Sequence, residues 1–361
     1  MTRNPDVAAA GATAAGDSPI ARADSKGANA ATPVALVVDI GGTNARFGLA
    51  IPGKDGRPLL VAIREFITAD FGSLAQAALC YLAETAQPPP ERIVIAVASV
   101  VTGDEIKMTN NVWSFSTQAL AGELGVAKVR VINDFAAVGM AIPQLMPHEL
   151  RPVGPLPLSA VAGAGAGDRH FSVVGPGTGL GVSRLLLHEG RPIVLETEGG
   201  HIGFAPQGAY EIAILEFLRR RYSRVSVERL VCGPGLQNLY RAVCAVDGAA
   251  ETAAAPEQIT AAAERGDAAC RRAVELFCAI LGGFAGDVVL MHGAWNGLYL
   301  GGGITVKLLA WICRSEFRDR FEAKGRFSSL MKTIPTLAII NEHAGLLGAA
   351  VAALEPTSRS R

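Results

Sequence analysis

From Pro33 onward the chain alternates short apolar runs with longer stretches of helical period. The runs predict strands near residues 34–40, 45–51, 60–67, 92–98 and 128–132, with a helix near 72–86. Strands interleaved with helices define an α/β chain. Three prolines at 88–90 end the helical stretch, and the β-branched run IVIAV after them reads as a buried strand. Past the Pro-rich segment RPVGPLPL and the Gly/Ala segment to Gly167, a further strand begins at HFSVV. A domain boundary is therefore expected around residues 142–168. Later helices are expected over Tyr210–Tyr222, Ala269 to about Leu281 and Leu346–Leu354, with another strand near residue 340.

One pattern occurs twice. ALVVDIGGTNARFGLA and FSVVGPGTGLGVSRLLL each read as strand, Gly-rich turn, strand, and they superimpose Gly42–Thr43 on Gly177–Thr178. The echo suggests two related halves whose turns face one another. Gly175, Gly177, Gly179 and Gly181 do not form a dinucleotide fingerprint, because a strand follows them where that motif needs a helix. No GxxxxGK[ST] phosphate loop occurs in the chain. A Gly-rich hairpin turn is either plain connection or a cradle whose backbone N–H groups approach phosphate oxygens closely.

Composition narrows the partners. Lys plus Arg and Asp plus Glu number 33 each, so net charge points to neither nucleic acid nor an anionic membrane and leaves a small molecule. Six cysteines without a CxxC pair fit a reducing cytoplasm. The sequence has no run of 18 consecutive apolar residues and no signal-peptide core. Residues 1–32 hold 11 alanines and no apolar periodicity, and they read as a disordered leader.

Three further segments carry candidate chemistry. VRVINDFAAVGMAI joins a strand to a helix through Asn133 and Asp134, which serve either as a helix cap or as a carboxylate at a strand's C-terminal end, placed to act as a general base. LETEGGHIGFAP sets Glu198 and His201 around two glycines, with Glu228 following in SVERLVCGPGL. Glu196 competes with Glu198, and position does not rank the two. Zinc on His201 is disfavoured, since Cys232 stands alone. NGLYLGGGITVKLLAWIC is strand, three glycines and helix, suited to tight packing or to a nucleotide at the helix N-terminus.

Together DIGGTNARFGLA, MTNNVWSF, INDFAAVGMAIP, GPGTGLGVSRL, EGGHIGFAP, SVERLVCGPGLQNLYRA, GGGI and AGLLGAA resemble the bacterial glucokinase family, over residues 34–354. The resemblance implies the actin-like, ribonuclease H-like ATPase fold, with a small α/β domain (33–143 plus 342–361), a large one (144–341) and a cleft between them. It implies ATP-dependent phosphorylation of glucose at its 6-hydroxyl by a cytoplasmic homodimer. Carried over residue by residue, Asp39 lies near Mg²⁺ through water, and Gly41, Gly42, Thr43 and Asn44 form the first phosphate loop. Gly177, Thr178 and Gly179 belong to the second loop, and Gly302 and Gly303 lie near the nucleotide. Asn133, Asp134, Glu198, His201 and Glu228 bind the sugar, with Asp134 as base. Glucose is then expected to close the cleft. The cysteine cluster that holds zinc in the related ROK branch is missing. A kinase for another hexose or aminosugar and a non-catalytic sugar sensor are the rival readings.

Overall fold

The computed structural model describes residues 35–355 apart from 54–55, 87–89, 100, 102, 109–110, 112, 163–166 and 254. The expected leader and parts of the three-proline run, the Gly/Ala segment and MTNNVWSF lie outside the described residues. The strands are β1 (Ala35–Ile40), β2 (Asn44–Pro52), β3 (Pro58–Ile67), β4 (Arg92–Val97), β5 (Glu105–Lys107), β6 (Ser114–Ser116), β7 (Lys128–Asn133), β8 (Leu150–Pro152), β9 (Arg169–Pro176), β10 (Leu180–His188), β11 (Arg191–Thr197), β12 (Gly297–Leu300) and β13 (Thr336–Ile339). The longer helices are interspersed in the order α1 (Leu74–Thr85), α2 (Thr117–Leu124), α3 (Asp134–Ala141), then, after the short α4 (Ser159–Ala162), α5 (Ala209–Arg219), α6 (Gly233–Asp247), α7 (Pro256–Glu264) and α8 (Ala268–His292). The short α9 (Gly303–Lys307), α10 (Leu309–Arg314), α11 (Phe317–Glu322) and α12 (Ser328–Met331) precede the last helix, α13 (Ala344–Leu354).

Two main sheets repeat one topology. The first runs β3-β2-β1-β4-β7, and the second runs β11-β10-β9-β12-β13 with β8 added at its far edge. In each, the first three strands are antiparallel and the next two join in parallel. The sequence echo therefore corresponds to equivalent hairpins in equivalent sheets.

Residue alternation explains the layering, because successive side chains on a strand face opposite ways. Leu36, Val38 and Ile40 point into a core with α1 and α2, whereas Ala35 and Val37 pack with Ala349, Ala350 and Ala353 of α13. On the second sheet Phe171, Val173 and Leu185 face the α3 and α13 side, and Val174, Val182 and Leu298 face α6 and α8. Helices α3 and α13 thus form a layer between the sheets.

The α8 helix continues well past the expected end near Leu281. Gly282 and Gly283 look like helix breakers in sequence. Instead, a Cβ on Gly282 would sit 2.1 Å from the Phe317 carbonyl oxygen and one on Gly286 2.5 Å from that of Phe321, so glycine lets α11 lie against the helix backbone. Among the described helices α8 alone is long and apolar enough to cross a membrane, yet most of its apolar window is buried in the second core.

Candidate active site

The two hairpin turns are built differently. In the first, the Gly41 N–H donates to the Asn44 carbonyl at 2.9 Å, and Asn111 Nδ2 donates to the Gly41 carbonyl at 2.8 Å. The Thr43 carbonyl accepts from the Thr68 N–H and hydroxyl at 2.9 and 3.0 Å, so the turn is anchored on both sides. In the second, the Gly177 N–H closes on the Gly179 carbonyl at 2.8 Å, and its own carbonyl accepts from Gly233 at the start of α6.

Asp39 is the second-last residue of β1, on the face toward α3 and α13. A Cβ on Gly345 would lie 2.7 Å from its Oδ2, so the glycine of AGLLGAA leaves the carboxylate its room. Burial raises the Asp39 pKa, Arg46 opposes the rise, and Glu65 adds to it. Arg46 stands directly across the hairpin from Asp39 and pairs with Glu65 at 3.4 Å, while Asn44 donates to the same glutamate.

Asp134 opens α3. Asn133, in extended conformation, caps the helix by accepting from the N–H groups of Phe135 and Ala136 at 2.9 and 3.1 Å. The cap and the candidate base are adjacent, so both readings of this segment hold together. Burial pushes the Asp134 carboxyl up to about 7, and the negative charge of Asp39 reinforces the push. Hydrogen bonds from the Phe135 and Asp134 N–H groups pull the other way. The Asp39 charge felt at Asp134 leaves carboxylate oxygens here that are hard donors of the kind Mg²⁺ takes.

Phe135 explains the glycines of the second hairpin. A Cβ on Gly181 would lie 1.8 Å from the Phe135 ring and one on Gly175 2.5 Å from it, so the ring occupies the space those side chains would fill. Ser183 donates to the Phe135 carbonyl at 2.9 Å, and Gly139 lies against Val194. Asp134, though it follows a strand of the first sheet, therefore rests on strands of the second. Gly348 brings α13 against the α3 backbone at Ala137.

The remaining acids gather from the second half of the chain. His201 Nε2 lies 3.7 Å from Glu198 Oε2, and its Nδ1 lies 3.7 Å from Glu228 Oε1. The imidazole is half exposed, and no metal-binding cluster of three or more His, Cys, Asp or Glu occurs among the described residues. Glu228 also accepts from the Leu180 N–H at 2.9 Å, and a Cβ on Gly179 would strike its carboxylate. The second turn and the sugar-candidate acids are thus in direct contact. Glu198 is also close enough to contribute to the rise at Asp134. Asn133, Asp134, Glu198, His201 and Glu228 therefore form one chain of neighbours, with Asp39 beside it.

Gly302 is different. It adopts a positive φ of 81°, and a Cβ there would lie 2.4 Å from the Pro176 carbonyl oxygen. The expected helix after it is interrupted, five residues in α9 and then α10. Gly302 thus serves close packing on the end of β9, whereas a Cβ on Gly303 would meet nothing within 4 Å. Sequence reasoning did not single out Asn111, although MTNNVWSF contains it, nor Phe135, Gly345 or the contact that separates Glu196 from Glu198.

The glucokinase family model matches residues 36–356. A glucokinase of Stenotrophomonas maltophilia K279a is 48% identical over 320 residues, covering 89% of this chain and 95% of that protein. This chain belongs to the glucokinase family. A glucokinase crystal structure from an Antarctic psychrotroph has a TM-score of 0.78 at 33% identity, covering 89% of this chain and 99% of that one. A ROK-family glucokinase from Streptomyces griseus, in complex with glucose and AMPPNP, has a TM-score of 0.58 at 20% identity and covers 89% of this chain and 99% of its own. The glucokinase family member described here therefore has the mixed α/β, actin-like ATPase fold shared with ROK sugar kinases.

Proposed function

We propose that the chain is an ATP-dependent hexose kinase that phosphorylates glucose at its 6-hydroxyl, with Asp134 as general base. The observation that supports the catalytic assignment is the place of Asp134: buried at the start of α3 beside Asn133, with the charges of Asp39 and Glu198 both acting on its carboxyl. An acid with a pKa near 7 is matched to accepting a hydroxyl proton at neutral pH.

Asp134 orients the sugar hydroxyl and takes its proton as the oxygen attacks the γ-phosphate in line, so positioning carries most of the catalysis. Asn133, Glu198, His201 and Glu228 bind the ring hydroxyls, and an epimer leaves some of those groups unpaired. The turns at Gly41–Asn44 and Gly177–Gly179 offer backbone N–H groups to the ATP phosphates, and Gly302 and Gly303 border the nucleotide. Mg²⁺, when bound through water to Asp39, supplies charge neutralisation on the phosphates.

The family resemblance supports a cytoplasmic homodimer acting in glycolysis, and the balanced charge agrees with small-molecule partners in place of nucleic acid or membrane. We also infer two α/β domains, 33–143 plus 342–361 and 144–341, with a cleft that glucose closes. Glucose bridges Asn133 and Asp134 of the first to Glu198, His201 and Glu228 of the second, so closure completes the site around the right ligand. Residues 1–32 are proposed to be dispensable: a protein beginning at Thr32 keeps full-length turnover and melting temperature, and loss of either contradicts this.

The deciding experiment couples ADP release to glucose, with a competing panel of hexoses. ADP release with glucose preferred over mannose and glucosamine supports the reading. Glucose binding without ADP release makes the protein a sugar sensor.

A further inference from the structure

Glu196 lies outside the residues assigned to sugar and phosphate, yet it touches the segment that carries the base. Its Oε1 accepts from the Asn133 N–H at 3.3 Å. Asn133 ends β7, the edge strand of the first sheet, so that N–H points away from the sheet's last neighbour at the point where strand gives way to helix. A backbone donor at such a junction needs a partner, and Glu196 supplies it.

The alternation along β11 gives this contact its consequence. Val194 lies against Gly139 of α3, Glu196 two residues later bonds to Asn133, and Glu198 two residues beyond that meets His201. Val194 and Glu196, same-side positions of β11, thus pack against α3 and meet its N-terminal junction, and Glu198 follows just past the strand's end, where the turn that carries His201 begins. Thr197, on the opposite side, fixes the strand end by donating to the Val182 carbonyl at 2.8 Å. Glu196 is therefore the side chain that ties Asn133 to the segment leading to Glu198 and His201.

We propose that Glu196 is a positioning residue for glucose: it holds the Asn133–Asp134 junction in register with Glu198 and His201 without contacting the nucleotide. The proposal rests on the sugar assignment above. Its effect falls on glucose recognition, because both groups it aligns belong to the sugar side, whereas the first turn is anchored independently through Asn111 and Thr68.

The test compares Glu196→Ala and Glu196→Gln with wild-type enzyme, by steady-state kinetics in both substrates, calorimetric glucose binding and thermal melting. One net hydrogen bond corresponds to about a three- to tenfold effect. Glu196→Ala is expected to raise the KM and Kd for glucose by about that factor, with the KM for ATP and the melting temperature unchanged. Glu196→Gln keeps an acceptor oxygen and is expected to restore both to within about twofold of wild type. An unchanged glucose Kd in Glu196→Ala overturns the proposal. So does a Gln variant as impaired as the Ala variant, or a parallel loss of melting temperature and both KM values. Failure of the wild-type protein to release ADP with glucose leaves the calorimetric comparison intact and counts instead against the kinase reading.

Discussion

The two hairpins share a topology and diverge where their turns begin. At the end of β1 the facing pair is Asp39 and Arg46; at the corresponding end of β9 the facing pair is Gly175 and Gly181. The first hairpin keeps charge at that point, and the second keeps space, into which Phe135 inserts. One hairpin carries the carboxylate suited to a metal, and the other admits the helix that carries Asp134. A repeated frame thus holds a charge in one hairpin and a space in the other.

The largest expected effect comes from removing the charge. Asp39→Asn is expected to lower turnover by at least about a hundredfold while glucose affinity stays within about threefold, since a lost electrostatic contact to the transferring group costs on that scale. Calorimetry and a coupled assay on one sample check it; comparable losses in both quantities would place Asp39 in the sugar site instead.

Filling the space is the converse experiment. Gly181→Ala puts a methyl against the Phe135 ring, and overpacking of this kind costs about 1–3 kcal/mol. Turnover should fall with it, because Asp134 precedes the displaced ring. Gly177→Ala meets no atom within 4 Å and should stay within about 0.5 kcal/mol of wild type in denaturant unfolding. Equal tolerance at both positions would remove the distinction between the hairpins.

The pH dependence links them. Asp134 must be ionised to act as base, so activity is expected to fall as pH drops through about 7. Asp39 is a principal cause of that high value after burial, so Asp39→Asn should move the acid limb of its residual activity to lower pH. Stability runs in the opposite sense. The folded protein holds the Asp134 proton up to about pH 7 while the unfolded chain releases it near 3.8, so this group's contribution declines as pH rises between those values. Asp134→Asn should therefore raise the melting temperature relative to wild type at pH 8, with the gain vanishing near pH 4. A wild-type advantage at pH 8 would contradict the burial account.

Much of this was legible in the residues. The hairpins and the cap at Asn133 follow from local chemistry. What was not legible depends on distant backbone meeting backbone. The helix expected to end near Leu281 runs on to His292 because Gly282 and Gly286 admit α11, and Gly175 and Gly181, which form no dinucleotide fingerprint, admit Phe135. Glycine in sequence signals freedom or proximity without distinguishing them. Glu196 and Glu198 likewise have the same composition and setting in sequence, and only the contact with Asn133 separates their positions.

The central claim is that Asp134, seated on the second hairpin, is the base for a sugar bound beside it. Glucose titration calorimetry and steady-state turnover of Asp134→Asn with glucose and ATP, measured on the same preparation, test it most directly. The amide keeps the shape and loses the basicity, so binding should stay within about tenfold of wild type, or about 1.4 kcal/mol, while turnover falls below about one hundredth. A variant that retains more than about a tenth of wild-type turnover contradicts the claim and removes Asp134 from the role.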